Sequence, residues 1–219
     1  SEAQQEGDLE AAEAAAAEVL GNERANAYER AITQRLLADL LIDVDNQRAM
    51  DLLREAIAAA GLGNNEHYGA MIALAQLQMQ EDDYAGSLAT LDRLVSETST
   101  DKAEVQVLRG NALYRLDRFD EAIAALEPVV KGNPEARADW AQLLMASYAE
   151  GGRADEAVAL AEEIAPKTPA DRRSQLNLAN VYLQADDYPK AIAVYERLRQ
   201  AGELTEARDY SNLAAMHLN

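Results

Sequence analysis

Apolar residues recur at three- and four-residue steps along most of the chain, in segments separated by short polar turns. Leu178 and Tyr182 belong to one such segment, and Tyr195 and Leu198 belong to the next. The polar run 184–187 separates the two. This spacing places the apolar side chains on one face of each α-helix. The pattern therefore predicts pairs of antiparallel helices joined by short turns.

The helical pairs repeat at a nearly constant interval. Ala122, Ala157 and Ala191 occupy the same place in one recurring phrase, 35 and then 34 residues apart. Ser87 lies 35 residues before Ala122, and Ala49 and Ala12 continue the series upstream at intervals of 38 and 37 residues. Most of these small residues follow a leucine by thirteen positions; those leucines are Leu36, Leu74, Leu144 and Leu178. Arg109 replaces the leucine in the remaining unit. Intervals of this size are typical of a solenoid of stacked repeats.

The phrase resembles the tetratricopeptide repeat, a helical hairpin of about 34 residues with a leucine, a small residue, a tyrosine and an alanine at set positions. The best copy has Leu178, Ala179, Tyr182, Ala191 and Tyr195 at those positions. The resemblance implies an all-α fold, a right-handed α-α superhelix of about five to six helical hairpins, truncated at both ends.

The predicted organisation is a single solenoid over residues 1–219. It comprises a half-repeat at 1–21, repeats at about 27–63, 66–100, 103–136, 138–170 and 172–205, and a partial repeat at 206–219. Pro134 and Pro169 are the predicted closing prolines of two repeats. Pro128 lies inside a predicted second helix, where proline bends or ends a helix. Because the chain begins at Ser1 in what looks like half a hairpin, we expect it to be a fragment of a longer protein.

The charge is strongly acidic, with 20 Lys and Arg against 39 Asp and Glu and a net charge of −19. Such a chain repels phosphate backbones and anionic lipid surfaces, so we expect neither nucleic-acid binding nor direct membrane insertion. A basic protein or peptide is the partner that this charge attracts. The alternative is that the acids only keep the molecule soluble. The chain has no cysteine, which removes disulfides and thiol chemistry.

No catalytic motif stands out from the repeats. His67 and His217 are far apart in sequence, and neither has carboxylates at a metal-ligand spacing. The run 43–47 resembles the start of a calcium loop but lacks the required glycine and closing glutamate. We therefore expect no enzymatic activity, no cofactor and no metal.

The resemblance also implies where a partner binds, because first helices of tetratricopeptide hairpins line a concave groove. Amide side chains there can hydrogen-bond an extended peptide, and methionine and tyrosine give apolar contact. The groove positions carried over to this chain are Gln76, Met79, Asn111, Tyr114, Arg115, Gln142, Asn177, Asn180 and Gln184. Val107 and Leu143 replace a lysine and an asparagine of the relatives that grip a terminal carboxylate, so we expect no carboxylate clamp.

Several short phrases, among them 139–143 and 202–205, are similar to exported proteobacterial tetratricopeptide proteins, some associated with TonB-type systems. This narrower resemblance implies a bacterial, periplasmic or exported scaffold; a cytoplasmic location is the alternative. The predicted function is a non-catalytic scaffold or adaptor for a partner protein or peptide. Two alternatives remain open: a substrate-recruiting accessory module of a larger enzyme, and self-association through the ends of the chain.

Overall fold

The computed structural model describes residues 2–133, 135–164 and 172–217, with side chains from Leu9 onward. This part of the chain folds into helices and contains no strand. The helices are α1 (Glu2–Gly21), α2 (Ala27–Leu41), α3 (Asn46–Ala58), α4 (Asn64–Gln80), α5 (Tyr84–Thr98), α6 (Ala103–Arg115), α7 (Phe119–Val130), α8 (Ala138–Glu150), α9 (Ala154–Ile164), α10 (Arg172–Gln184), α11 (Tyr188–Gln200) and α12 (Ala207–Met216). The all-α class predicted from the periodicity is confirmed. Pro134 and Pro169 lie outside the described residues.

The chain divides into two compact units, and the division falls inside α6. Unit 1 covers Ser1–Ala112 and unit 2 covers Leu113–Asn219. In unit 1, each helix from α1 to α4 packs against the next one along the chain. In unit 2, the same holds from α7 to α12, and α8 also contacts α10. Each unit is thus a row of antiparallel helices packed in chain order, as stacked hairpins require.

The repeated small residues lie where helices cross. Ala49, Ser87, Ala122, Ala157 and Ala191 are all fully buried. Serine is tolerated in this series because the Ser87 hydroxyl donates a hydrogen bond to the carbonyl of Ala75, 2.9 Å away. The sixth residue of the series, Ala12 on α1, is only half-buried.

The turn inside each hairpin contains one left-handed residue, five or six positions before the buried small residue. Asp43, Asp82, Asp117, Gly152 and Asp186 have φ between 57° and 73°. Aspartate adopts this conformation more readily than most side chains. A nearby aspartate then caps the second helix: Asp45, Asp83 and Asp187 accept hydrogen bonds from the first-turn amides of α3, α5 and α11. The turn chemistry therefore explains much of the aspartate content at these positions.

Two irregular positions have local explanations. Helix α7 continues through Pro128 to Val130, so the proline does not end the helix at the preceding residue, as proline often does. Arg109, which interrupts the leucine series, is ion-paired with Asp92 on α5, with 2.6 Å between Nε and Oδ1.

Candidate partner-binding surfaces

A cleft in unit 1 lies between first helices of successive hairpins. Its walls come from the end of α2, the second half of α4, and α6. The cleft has a volume of about 310 Å³ and is mainly apolar. Ile42, Ala73, Leu77, Met79 and Leu108 form its apolar surface, and Gln76 and Gln80 add exposed amides. The structure thus brings two of the predicted groove residues, Gln76 and Met79, together. We call these seven residues the unit 1 cleft.

The edge of the unit 1 cleft is acidic. Asp43 directly follows Ile42, and Glu81 directly follows Gln80. Asn46 links the two: its side-chain oxygen accepts from the backbone amide of Asp43 at 2.8 Å, and its side-chain nitrogen donates to Glu81 at 2.8 Å. Among the described residues, neither carboxylate has a Lys or Arg within ion-pair distance. Both therefore face solvent with their charge uncompensated by a neighbouring cation.

The predicted residues of α6 lie in its last two turns. Asn111 and Tyr114 are half-buried, and Arg115 is exposed. The ring of Tyr114 packs edge-on against that of Phe119, with 5.7 Å between centroids. Part of Tyr114 therefore belongs to the packing of its own hairpin, which leaves less of its ring available to a partner.

In unit 2, the predicted amides form a polar strip across α8 and α10. Gln142 on α8 accepts a hydrogen bond from the guanidinium of Arg173 on α10, at 3.2 Å. Asn177 lies one helical turn beyond Arg173, with Asn180 and Gln184 further along the same helix. Asn180 and Gln184 are exposed. Sequence reasoning missed Arg173, although a basic residue four positions before Asn177 was visible in the sequence.

A second apolar surface in unit 1 was not predicted. Leu36, Leu40 and Val44 are 52%, 53% and 67% exposed. The two leucines and residues of α1, including Ala16 and Val19, border an apolar groove of about 260 Å³. Leu36 occupies the repeat position of the buried Leu74, Leu144 and Leu178 but differs from them in burial, because its side chain borders the open groove beside α1. Apolar residues at 36, 40 and 44, four apart, were the available signal.

Unit 2 joins successive hairpins through a repeated tyrosine–glutamate contact. The Tyr182 hydroxyl donates to Glu162 at 2.7 Å, and the ammonium of Lys190 lies 3.3 Å from the same carboxylate. One repeat earlier, the Tyr148 hydroxyl donates to Glu127. Cations lie over both rings: Lys190 is 5.1 Å from the centroid of Tyr182, and Arg153 is 4.9 Å from that of Tyr148. We call these pairs the tyrosine–glutamate contacts.

These contacts shift the titration of both partners. The hydrogen bond from Tyr148, followed by that from Lys131, lowers the pKa of Glu127 below its usual 4.5. Tyr182 and then Lys190 lower the pKa of Glu162 in the same way. Burial, with the hydrogen bond to Glu162 second, raises the pKa of Tyr182 to about 12. The shifts follow from the packing of one hairpin against the next.

The two histidines each face one carboxylate. His67 lies 3.6 Å from Glu97, and His217 lies 3.6 Å from Glu196. Within residues 2–133, 135–164 and 172–217, no group of three or more His, Asp or Glu side chains is placed to hold a metal ion. In the same described ranges, a helix with the length and apolar content to cross a bilayer does not occur.

Comparison with known proteins places the repeats in a family. Residues 107–171 and 146–204 match the family model described as a tetratricopeptide repeat. Among curated proteins, no sequence match reaches significance.

Solved structures resemble the chain over most of its length. They include MamA, residues 41 to the end, from Desulfovibrio magneticus RS-1, with a TM-score of 0.67 and 15% identity over 81% of this chain and 97% of that one. A tetratricopeptide repeat protein from Parabacteroides merdae ATCC 43184 has a TM-score of 0.67 and 17% identity over 97% of this chain and 80% of that one. YrrB, described as a TPR protein with an unusual peptide-binding site, has a TM-score of 0.63 and 16% identity over 83% of this chain and 89% of that one.

At sequence identities this low, the similarity shows that the fold is shared. It says nothing about what this chain binds. Residues 107–204 match the tetratricopeptide repeat model by sequence, and by structure the chain has the all-α tetratricopeptide fold.

Proposed function

We propose that this chain is a non-catalytic scaffold that holds a partner protein or peptide on the first helices of its hairpins. The tetratricopeptide fold is that of protein-interaction modules, which supports the general class. The unit 1 cleft is the single observation that carries the proposal. This cleft has a volume of about 310 Å³ and a mainly apolar lining, and the amides of Gln76 and Gln80 are exposed at its edge.

The chemistry of the cleft suits a peptide. Ligand pockets for small molecules have volumes of about 300–1,000 Å³, so this cleft is at the lower limit for a small-molecule site. An apolar floor can take a side chain, while a glutamine amide can donate to and accept from a peptide backbone. The polar strip of unit 2, with Gln142, Asn177, Asn180 and Gln184, offers the same amide chemistry without a comparable apolar floor. The proposal therefore gives unit 1 the anchoring role and the strip a supporting one.

Photo-crosslinking tests the proposal. A photoreactive phenylalanine analogue replaces Gln76 in one variant and Asn180 in another; both residues are exposed on first helices. Ala89 on α5 and Ala193 on α11, exposed on second helices, receive the same group as matched controls. We expect one partner to be captured from an extract of the source cells at Gln76, at Asn180 or at both. Capture at the control positions to the same extent would contradict the assignment of first helices as the binding surface.

The location of the protein in the cell is part of the same proposal. The short phrases shared with exported proteobacterial relatives support a periplasmic or exported scaffold. Fractionation of cells that carry the natural gene, followed by detection with an antibody, tests this. Recovery of the protein in the cytoplasmic fraction would contradict the proposed periplasmic or exported location. It would not contradict the proposed binding function.

A further inference from the structure

We infer that the unit 1 cleft selects a peptide in which an aliphatic side chain is flanked by lysine or arginine. This inference rests on the proposed function and specifies its ligand. The aliphatic side chain enters the cleft, and the flanking cations lie against the carboxylates of Asp43 and Glu81. The occupant is thus a basic, leucine-like segment of a partner protein.

The apolar part of the argument comes from the floor of the cleft. Leu77 is buried at 2% exposure, and Met79 and Leu108 are half-buried against it. An aliphatic side chain entering there removes apolar surface from water on both partners. Methionine is unbranched and flexible, so Met79 can adjust to aliphatic side chains of different shape. A polar side chain would gain no partner on this floor.

The charged part comes from the edge. Asn46 holds the turn of Asp43 next to Glu81 through two hydrogen bonds of 2.8 Å. The backbone of Asp43 and the carboxylate of Glu81 are therefore joined through one asparagine side chain, directly beside the cleft residues Ile42 and Gln80. Lys or Arg within about 4 Å of such carboxylates is attracted, while Asp or Glu is repelled.

The charge of the surrounding unit reinforces this selection. Residues 1–112 contain 8 Lys and Arg against 21 Asp and Glu, a net charge of −13. Arg48, the basic residue nearest to Asp43 along the chain, is paired with Glu13, and Arg35 is paired with Asp39. An approaching cation therefore meets a net negative field, which raises its association rate and disfavours acidic segments.

Three fluorescein-labelled hexapeptides of one length serve as probes: Gly-Lys-Leu-Lys-Gly-Ser, Gly-Glu-Leu-Glu-Gly-Ser and Gly-Lys-Ser-Lys-Gly-Ser. Fluorescence anisotropy measures their binding. NMR of the protein with ¹³C-labelled methionine methyl groups shows where they bind, because Met79 lines the cleft and the other four methionines are buried. We expect the Lys-Leu-Lys peptide alone to bind and to shift the Met79 resonance.

A charge variant tests the edge separately from the floor. In the double variant Asp43→Asn and Glu81→Gln, both replacements keep the hydrogen-bonding shape, and asparagine tolerates the left-handed conformation at position 43. We expect the Lys-Leu-Lys peptide to bind about twofold to tenfold more weakly, with the difference vanishing at high salt. The matched control, Glu18→Gln with Glu23→Gln, removes two exposed acids elsewhere in unit 1. We expect its affinity for the peptide to stay within about twofold of that of the wild-type protein, because only long-range charge is altered.

Each contrary result identifies what fails. Equal binding of the Glu-Leu-Glu or Lys-Ser-Lys peptide would overturn the inferred selectivity, and binding that leaves Met79 unchanged would overturn the site. If no peptide binds while crosslinking at Gln76 still captures a partner, this inference fails and the proposed function stands. If crosslinking at Gln76 and Asn180 also captures nothing, both fail.

Discussion

Units 1 and 2 are built from hairpins of similar length, but they join successive hairpins differently. In unit 2, Tyr148 and Tyr182 reach back to Glu127 and Glu162 on the preceding second helices. In unit 1, the positions equivalent to these tyrosines are Leu40 and Gln78. Leu40 is exposed, and Gln78 turns to its own hairpin, where it donates to Asp83 and accepts from Thr90.

The difference shows that one repeat architecture supports two kinds of surface. Where the position holds tyrosine, the ring packs between successive hairpins, and the hydroxyl donates a charge-assisted hydrogen bond to a glutamate of the preceding hairpin. Where it holds Leu40 or Gln78, this position makes no such contact with the preceding hairpin, and unit 1 keeps exposed leucines and two apolar grooves. The family-model match follows the same division, because it covers 107–204 and omits most of unit 1. Unit 2 is thus the more regular part of the repeat array, and unit 1 is the part with more exposed apolar surface.

The largest expected difference between the units concerns one repeat position. Leu144→Ala in unit 2 removes a fully buried side chain and should lower the free energy of unfolding by about 2–5 kcal/mol. Leu36→Ala, the equivalent change in unit 1, removes a side chain that is 52% exposed and should cost about 0.5 kcal/mol or less. Urea unfolding followed by circular dichroism measures both. Equal losses for the two variants would mean that Leu36 is covered in solution.

The helix crossings provide the next test. Ala157→Leu or Ala191→Leu forces extra volume into a fully buried crossing and should cost about 1–3 kcal/mol. Ala12→Leu places the same side chain at the half-buried member of the series and should cost less than either. Thermal unfolding of the three variants measures the order. An Ala157→Leu protein with the wild-type midpoint would show that the crossing assignment is wrong.

Removing one hydroxyl tests the tyrosine–glutamate contacts directly. Tyr182→Phe keeps the buried ring and loses the hydrogen bond to Glu162, so the free energy of unfolding should fall by about 0.5–1.5 kcal/mol. Hydrogen exchange followed by mass spectrometry should show faster exchange in α9 and α10, with α2 to α4 unchanged as the internal control. Unaltered exchange in α10 would show that the hydrogen bond from Tyr182 to Glu162 does not stabilise the packing of unit 2.

Acidification should weaken unit 2 through the same contacts, with the smallest effect. The pKa values of Glu127 and Glu162 are lowered from 4.5 by hydrogen bonds from Tyr148 and Tyr182. Because these acids titrate lower in the folded state, their stabilisation is complete above the unfolded value of 4.5 and is lost as the pH falls below it through the lowered pKa. The melting temperature of the wild-type protein should therefore fall below pH 4.5 more steeply than that of Glu127→Gln, Glu162→Gln. Parallel curves for the two proteins would contradict this link.

Much of the fold was predictable because the repeat is local in sequence. A small residue such as Ala157 and a leucine thirteen positions earlier mark the crossing of two adjacent helices, and both are buried. The turn aspartates carry a conformational preference that can be read from a few residues. Asn111, Gln142 and Asn180 were placed on first helices from the repeat register alone; their role in binding remains a prediction.

The candidate site was less predictable, since it depends on which faces stay uncovered. The unit 1 cleft needs Ile42 from the end cap of α2, Met79 from α4 and Leu108 from α6. No local pattern in the sequence predicts that these side chains meet around an open volume. The burial of Leu36 could not be predicted from the repeat either. Leu36 and Leu144 hold the same repeat position, yet Leu36 is exposed and Leu144 is buried.

The sequence by itself determined the helices, their turns and the order in which they stack, because each of these depends on residues within about one repeat of one another. Only the tertiary structure decided which apolar faces remain open, how Asn46 brings Asp43 next to Glu81, and where tyrosine reaches a glutamate of the preceding hairpin. The open faces and the tyrosine–glutamate contacts depend on helices of neighbouring repeats, and the pattern within one repeat does not specify how those helices meet.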